Sequence, residues 1–158
     1  MKKIVIIIMC LVLYVPFYAQ ETATSRSIDT YFDKQWGLKN IVPNGGRGVD
    51  IKAEEAWAIT EGSPSIKIAV IDDGVDMKHP DLKRNTPNGY DATGNNSGGN
   101  PVTVYDNHGT SVAGVIGAEK DNGIGIAGVA PSCTIYPVKF CEENPFGTYS
   151  KKEWIIKQ

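Results

Sequence analysis

Ile66-Lys67-Ile68-Ala69-Val70-Ile71-Asp72-Asp73-Gly74 is the stretch from which the rest of the chain can be read. Its β-branched, nearly continuous apolar run predicts a strand covered on both faces, the pattern of a parallel sheet rather than of a half-solvated antiparallel one. The run ends on two carboxylates and a glycine. Open α/β sheets gather functional groups at the carboxyl ends of their strands, so Asp72 stands where chemistry is expected. Alone this is a weak signal, because such folds also place acids there to bind a ribose or a metal.

Upstream, Asp50 is placed to cap a helix with apolar positions Ile51, Ala53, Ala56, Trp57 and Ile59, ending at Gly62. Downstream, residues Asn85 to Asp106 are rich in Gly, Asn, Pro and Thr and read as a long surface loop, a kind that is more often functional than idle. A helix opens near His108, with small residues Ala113, Gly114, Gly117 and Ala118 suited to close packing. After the Gly-rich turn Asn122 to Gly125, residues Thr134 to Phe140 form a second strand candidate, weakened by Pro137, which cannot donate to a ladder. Strand, helix, strand implies a parallel sheet with a right-handed crossover. Ser150-Lys151-Lys152-Glu153 is a capping-box pattern that predicts a helix start. Its abrupt stop at Gln158 suggests a truncated reading frame.

The chain has 158 residues, 41% of them hydrophobic, and 16 Lys and Arg against 18 Asp and Glu, a net charge of -2. This is enough to bury a core and far from the basic excess of a nucleic-acid binder. Lys2 and Lys3, the apolar run Ile4 to Val15 and the small Ala19 read as a secretory signal peptide over residues 1–20. Residues 21–34 read as a lead-in segment. No membrane span is expected once the signal is removed, and the location expected is secreted, periplasmic or extracellular. Cys10 leaves with the signal; Cys133 and Cys141 could pair across a short loop or remain buried thiols. Asn95-Asn96-Ser97 fits the glycosylation sequon, which matters only in a eukaryotic secretory route.

The ordered set Ile68-Ala69-Val70-Ile71-Asp72-Asp73-Gly74, His79-Pro80-Asp81-Leu82 and His108-Gly109-Thr110-x-x-Ala113-Gly114 resembles the subtilisin-like serine peptidases. Trp36-Gly37-Leu38 before it and Gly128-Val129-Ala130-Pro131 after it extend the resemblance from about Gln35 to Phe140. The resemblance implies an α/β fold: an incomplete subtilisin-like three-layer arrangement with a mainly parallel sheet, residues 35–158 being the N-terminal portion of the peptidase domain. It implies a secreted endopeptidase acting on proteins or peptides, with Asp72 as the triad aspartate and His108 as the general base, in the chain order Asp, His, Ser. The nucleophilic serine is absent from this chain. A serine hydroxyl is a poor nucleophile at neutral pH, so an imidazole must take its proton and a carboxylate must hold that imidazole's tautomer. Gly109-Thr110-Ser111-Val112-Ala113 imitates the family's serine motif, but it follows His108 directly and has Val115 where the motif has proline, so Ser111 is not the nucleophile expected.

Asp81 and Asn122 match positions that help form a calcium site in subtilisin relatives, and oxygen side chains suit that hard cation. A turn at Asp81 and a left-handed Asn122 would explain both residues equally well. Asp73 hints at an acidic subsite for basic substrates. Two readings of other classes remain: a secreted pseudoprotease that binds through its cleft or the loop Asn85 to Asp106, and a nucleotide-binding domain. The second is disfavoured because no Gly-x-Gly-x-x-Gly run follows the strand.

Overall fold

The structure is a computed structural model that describes residues 27–40, 48–143, Phe146 and Tyr149–Lys151. The predicted signal peptide lies outside the described residues. Among the described residues, a 3-10 turn at Phe32–Lys34, two short α-helices and two small sheets make up the fold: α1 (Ala53–Trp57), β1 (Lys67–Asp72), β2 (Tyr90–Asp91), α2 (His108–Gly117), β3 (Thr134–Lys139), β4 (Cys141–Glu143) and β5 (Tyr149–Lys151). The first sheet has the order β1-β3-β2, with β3 parallel to both neighbours. β4 and β5 form an antiparallel pair. Among the described residues no helix is long and apolar enough to cross a membrane.

Register explains which side chains meet. Ile68 lies opposite Ile135, Val70 opposite Pro137 and Asp72 opposite Lys139, so these six residues share one face of the parallel pair. On that face α2 packs across β1 and β3, and Val70, Val75, Leu82, Ala113, Ala118 and Ile135 close into a buried cluster. The small residues of α2 permit the approach: a methyl group on Gly117 would lie 2.8 Å from Ile135 Cδ1. The other face of β1 is bare: Lys67, Ala69 and Ile71 are all exposed, Ile71 by 62%. The apolar run therefore alternates in burial, contrary to the expected cover on both faces, because the elements described here cover the sheet from the α2 side alone.

Pro137 sits inside the central strand, where a missing N–H is ordinarily excluded. Its position in the ladder resolves the conflict. The N–H groups of Thr134 and Phe140 donate to Ile66 and Asp72 on the β1 side, so the odd-numbered residues face β2. On that side Ile135 donates to Asn85, and the paired residues of β2 begin only opposite Val138. The predicted long loop is thus interrupted by β2, a strand too short to leave a periodic signature.

The helix at α1 is shorter than expected. Its N-terminal flanking residue Lys52 is left-handed, with φ 57° and no side-chain cap. Asp50 instead accepts the Lys52 N–H at 3.0 Å and the Asn40 N–H at 2.9 Å, stitching two backbone segments together. Ile51, Ala56 and Ile59 are exposed, so of the expected apolar stripe only Ala53 and Trp57 dock this helix. Phe32, Leu38, Ala53 and Ala127 form a second cluster, against which Trp57 packs. The later part of the expected lead-in belongs to this cluster, and Tyr31 N–H donates to the Gly125 carbonyl at 2.8 Å. Ser150 and Lys151 are extended in β5, so the helix expected from Ser150 does not start there, and residues 152–158 lie outside the described residues.

Cys133 and Cys141 are both buried and free. They flank β3, so about eight residues of extended chain hold them about 26 Å apart, whereas a disulfide spans roughly 7 Å at most. Pairing across a short loop is ruled out by the strand between them.

Candidate functional site

β1 delivers Asp72 to the edge of the sheet, and α2 begins with His108 directly above it. His108 Nδ1 lies 2.8 Å from Asp72 Oδ2 and 3.0 Å from Oδ1. A carboxylate only accepts, so this contact assigns the hydrogen to Nδ1 and the lone pair to Nε2. The Asp72 side chain is 15% exposed while that of His108 is 57% exposed, so the acid is sheltered and the imidazole opens toward solvent. Asp72 Oδ1 also accepts the N–H of Asp73 at 2.8 Å, which fixes the carboxylate plane.

Asp73 has a different task from the one its sequence suggested. It is fully buried, and its two oxygens accept the N–H groups of His108 at 3.0 Å and Gly109 at 2.8 Å. This carboxylate satisfies orphan donors at the amino end of α2, where the flanking Asn107 makes no side-chain cap. It is therefore no subsite for basic substrates. Adjacent aspartates thus hold one residue twice, Asp72 by its ring and Asp73 by its backbone. Burial pushes the Asp73 carboxyl above the usual range; the Gly109 and His108 N–H groups oppose this, and the Asp72 and Asp106 charges add to it. Because the folded value lies above the unfolded one, the linked stability is fully present below the unfolded value and is lost as pH rises through the folded one.

Two glycines allow the approach. A methyl group on Gly109 would overlap the Gly74 carbonyl oxygen and lie 2.9 Å from Asp72 Cβ. Gly74 has φ 120°, and a methyl there would lie 2.7 Å from the Pro101 nitrogen. Thr110 completes the junction by accepting the Asp76 N–H at 3.0 Å. Ser111, one turn into α2, donates its hydroxyl to the Asn107 carbonyl at 3.1 Å.

A buried polar cluster lies beneath the pair, in residues that sequence reasoning did not single out. Lys139 and the side chain of Asp106 are fully buried, with Lys139 Nζ 2.9 Å from Asp106 Oδ2. Burial pushes the nearby Cys141 thiol up to about 11, with the charges of Asp72 and Asp73 adding to the effect. A lysine within a strand gives no sequence signal for such a role, since lysines ordinarily point to water.

Asp81 and Asn122 also come together, with Asn122 Nδ2 donating to Asp81 Oδ1 at 2.7 Å and Ile126 N–H to Oδ2 at 2.9 Å. His79 Nδ1 accepts the Asp81 N–H at 3.2 Å and so belongs to the same turn. A second buried acid, Asp29, grips the same loop through the N–H groups of Asp121 at 2.9 Å and Gly123 at 3.1 Å.

The family model of the subtilases matches residues 63–158, and the chain belongs to that family. It is 41% identical to a thermophilic serine proteinase of Bacillus sp. (strain AK1), over 77% of this chain and 27% of that protein. It is 45% identical to the major intracellular serine protease of Bacillus subtilis, over 67% of this chain and 33% of that one. Among solved structures, a serine protease of Aeromonas sobria, in complex with its chaperone, superposes with a TM-score of 0.64 at 28% identity, covering 77% of this chain and 21% of that one. The chain thus spans about a third or less of the length of these relatives.

Proposed function

We propose that this chain supplies the acid–base half of a serine endopeptidase, with Asp72 orienting His108 and His108 exchanging protons through Nε2. The observation that carries this reading is the contact of His108 Nδ1 with both Asp72 oxygens, at the end of a parallel strand in a subtilase chain. In the reaction, a serine from sequence beyond Gln158 attacks the peptide carbonyl as its proton passes to Nε2. Asp72 stabilises the imidazolium that forms, against the unfavourable field of the α2 amino end. The same proton then goes to the leaving amine. Residues 1–20 direct export, and proteins or peptides are the substrates.

The test is fluorophosphonate labelling and peptide hydrolysis by the full-length protein. His108→Ala and Asp72→Asn are each expected to lower kcat about 10⁴-fold or more, as losses of the equivalent groups do in triad peptidases. A full-length protein that neither labels nor hydrolyses would leave a binding role instead.

Asp81 and Asn122 further support a structural calcium ion. Asp81 is 3% exposed, and among the described residues its oxygens accept from an amide group and a backbone N–H and meet no cationic side chain. Asn122 rotated about its terminal bond would present a second hard oxygen. Calcium is expected to raise Tm by several degrees, and Asp81→Asn to abolish that increment; equal Tm with calcium and with chelator would refute the site.

A further inference from the structure

We infer that Lys139 is a positioning residue for the Asp72–His108 pair, acting through the Asp73 carbonyl and through Asp106. The inference rests on the acid–base reading of that pair. An ammonium has three donors, and here each meets an acceptor on a different segment. Nζ donates to the Asp73 carbonyl at the exit of β1, to Asp106 Oδ2 at 2.9 Å on the approach to α2, and to the Cys141 carbonyl at 2.9 Å beyond β3. Asp106 Oδ2 in turn accepts the N–H groups of Val102 and Thr103, each at 2.9 Å, and so shapes the turn that ends two residues before His108.

The register places this ammonium. Lys139 is the β3 partner of Asp72 on the face that α2 covers, so its stem runs beneath the pair rather than out to water. Asp72 and His108 reach each other from segments joined by a long connection, and a hydrogen bond between them requires both segments to be held in register. Asp73 fixes the helix end from the strand side, and Lys139 fixes Asp73 and Asp106 together from below.

Stability alone is a poor reason for such a pair. Taking both charges out of water offsets much of their attraction, and apolar residues of similar volume often serve as well. Geometry is the better reason, since misplacement by about 1 Å at a reacting centre can cost about 10²-fold in rate. Positioning should therefore appear in kcat and in the His108–Asp72 hydrogen bond more than in KM or Tm.

The experiment compares Lys139→Met, Lys139→Arg, Asp106→Asn and the Lys139→Met/Asp106→Asn double variant in the full-length protein. The readouts are kcat, KM, Tm and the downfield proton resonance of His108 Nδ1–H. Lys139→Met is expected to lower kcat about 10- to 100-fold with KM little changed, and to shift or erase the resonance. Lys139→Arg should recover much of both signals, and the double variant should be no worse than either single one. A folded Lys139→Met that keeps kcat and the resonance would overturn the inference, as would rate losses that simply follow Tm with the resonance intact. If Lys139→Met does not fold, Asp106→Asn decides in the same terms. A wild-type protein without peptidase activity would refute the functional reading alone, because the resonance reports the positioning without a nucleophile.

Discussion

Two ion pairs of almost equal length lie at opposite ends of β1 and behave as different objects. Lys139 and Asp106, 2.9 Å apart, have no exposed side-chain surface, and each holds backbone groups of other segments. Arg84 and Glu119, 2.8 Å apart, have side chains 73% and 22% exposed. They line an open 340 Å³ cleft with Glu61, Ser63 and Pro64, just ahead of the strand. Separation is therefore not what ranks such contacts; desolvation is. Water screens the outer pair and leaves its partners replaceable, while the inner pair must satisfy every donor and acceptor within the protein. At the carboxyl end of the strand the inner pair ties three segments together, and the candidate site stands on it.

The sharpest way to break the contrast is Gly109→Ala. The added methyl meets the Gly74 carbonyl and Asp72 Cβ, so the start of α2 must move away from β1. Denaturant titration should show a loss of about 1–3 kcal/mol, and hydrolysis should fall by more than that loss of stability explains.

Asp91 lies between the two extremes. It is half-buried, and although burial pushes its carboxyl upward, the Thr93 hydroxyl and the Ser97 and Thr93 N–H groups outweigh this and lower it to about 2. Because the folded value lies below the unfolded one, its stabilisation is present above the unfolded value and is lost as pH falls from about 4 toward about 2. Asp91→Asn should be less stable at neutral pH and lose less stability than wild type across that window; parallel curves from pH-dependent thermal unfolding would remove Asp91 from the account.

Arg84→Ala should give the smallest effect, below about 1 kcal/mol, shrinking further in salt. A larger loss by denaturant titration would mean that the outer pair is not screened as its exposure requires.

The β1 run, the acid at its end, the helix at His108 and the strand after Thr134 were all legible in the chain. They are written in local apolar patterning and in small residues at fixed offsets, which depend on neighbours along the sequence. The resemblance added the pairing of Asp72 with His108, residues 36 apart. Other expectations failed where a distant segment decided the outcome. Asp73 read as an acidic subsite for basic substrates because nothing in its neighbours shows that the amino end of α2 comes to rest on it. Pro137 read as a weakness because the side its missing N–H would face is set by where β2 begins.

The sequence by itself determined the class of fold and the family, and it singled out the acid and the imidazole on which the proposed function rests, because residue type and spacing encode them. Only the tertiary structure decided that Asp73 caps rather than recognises, that Cys133 and Cys141 stay apart, and that Lys139 is buried beneath the site. Those outcomes depend on which groups lose their water, and desolvation is a property of packed segments rather than of any one of them.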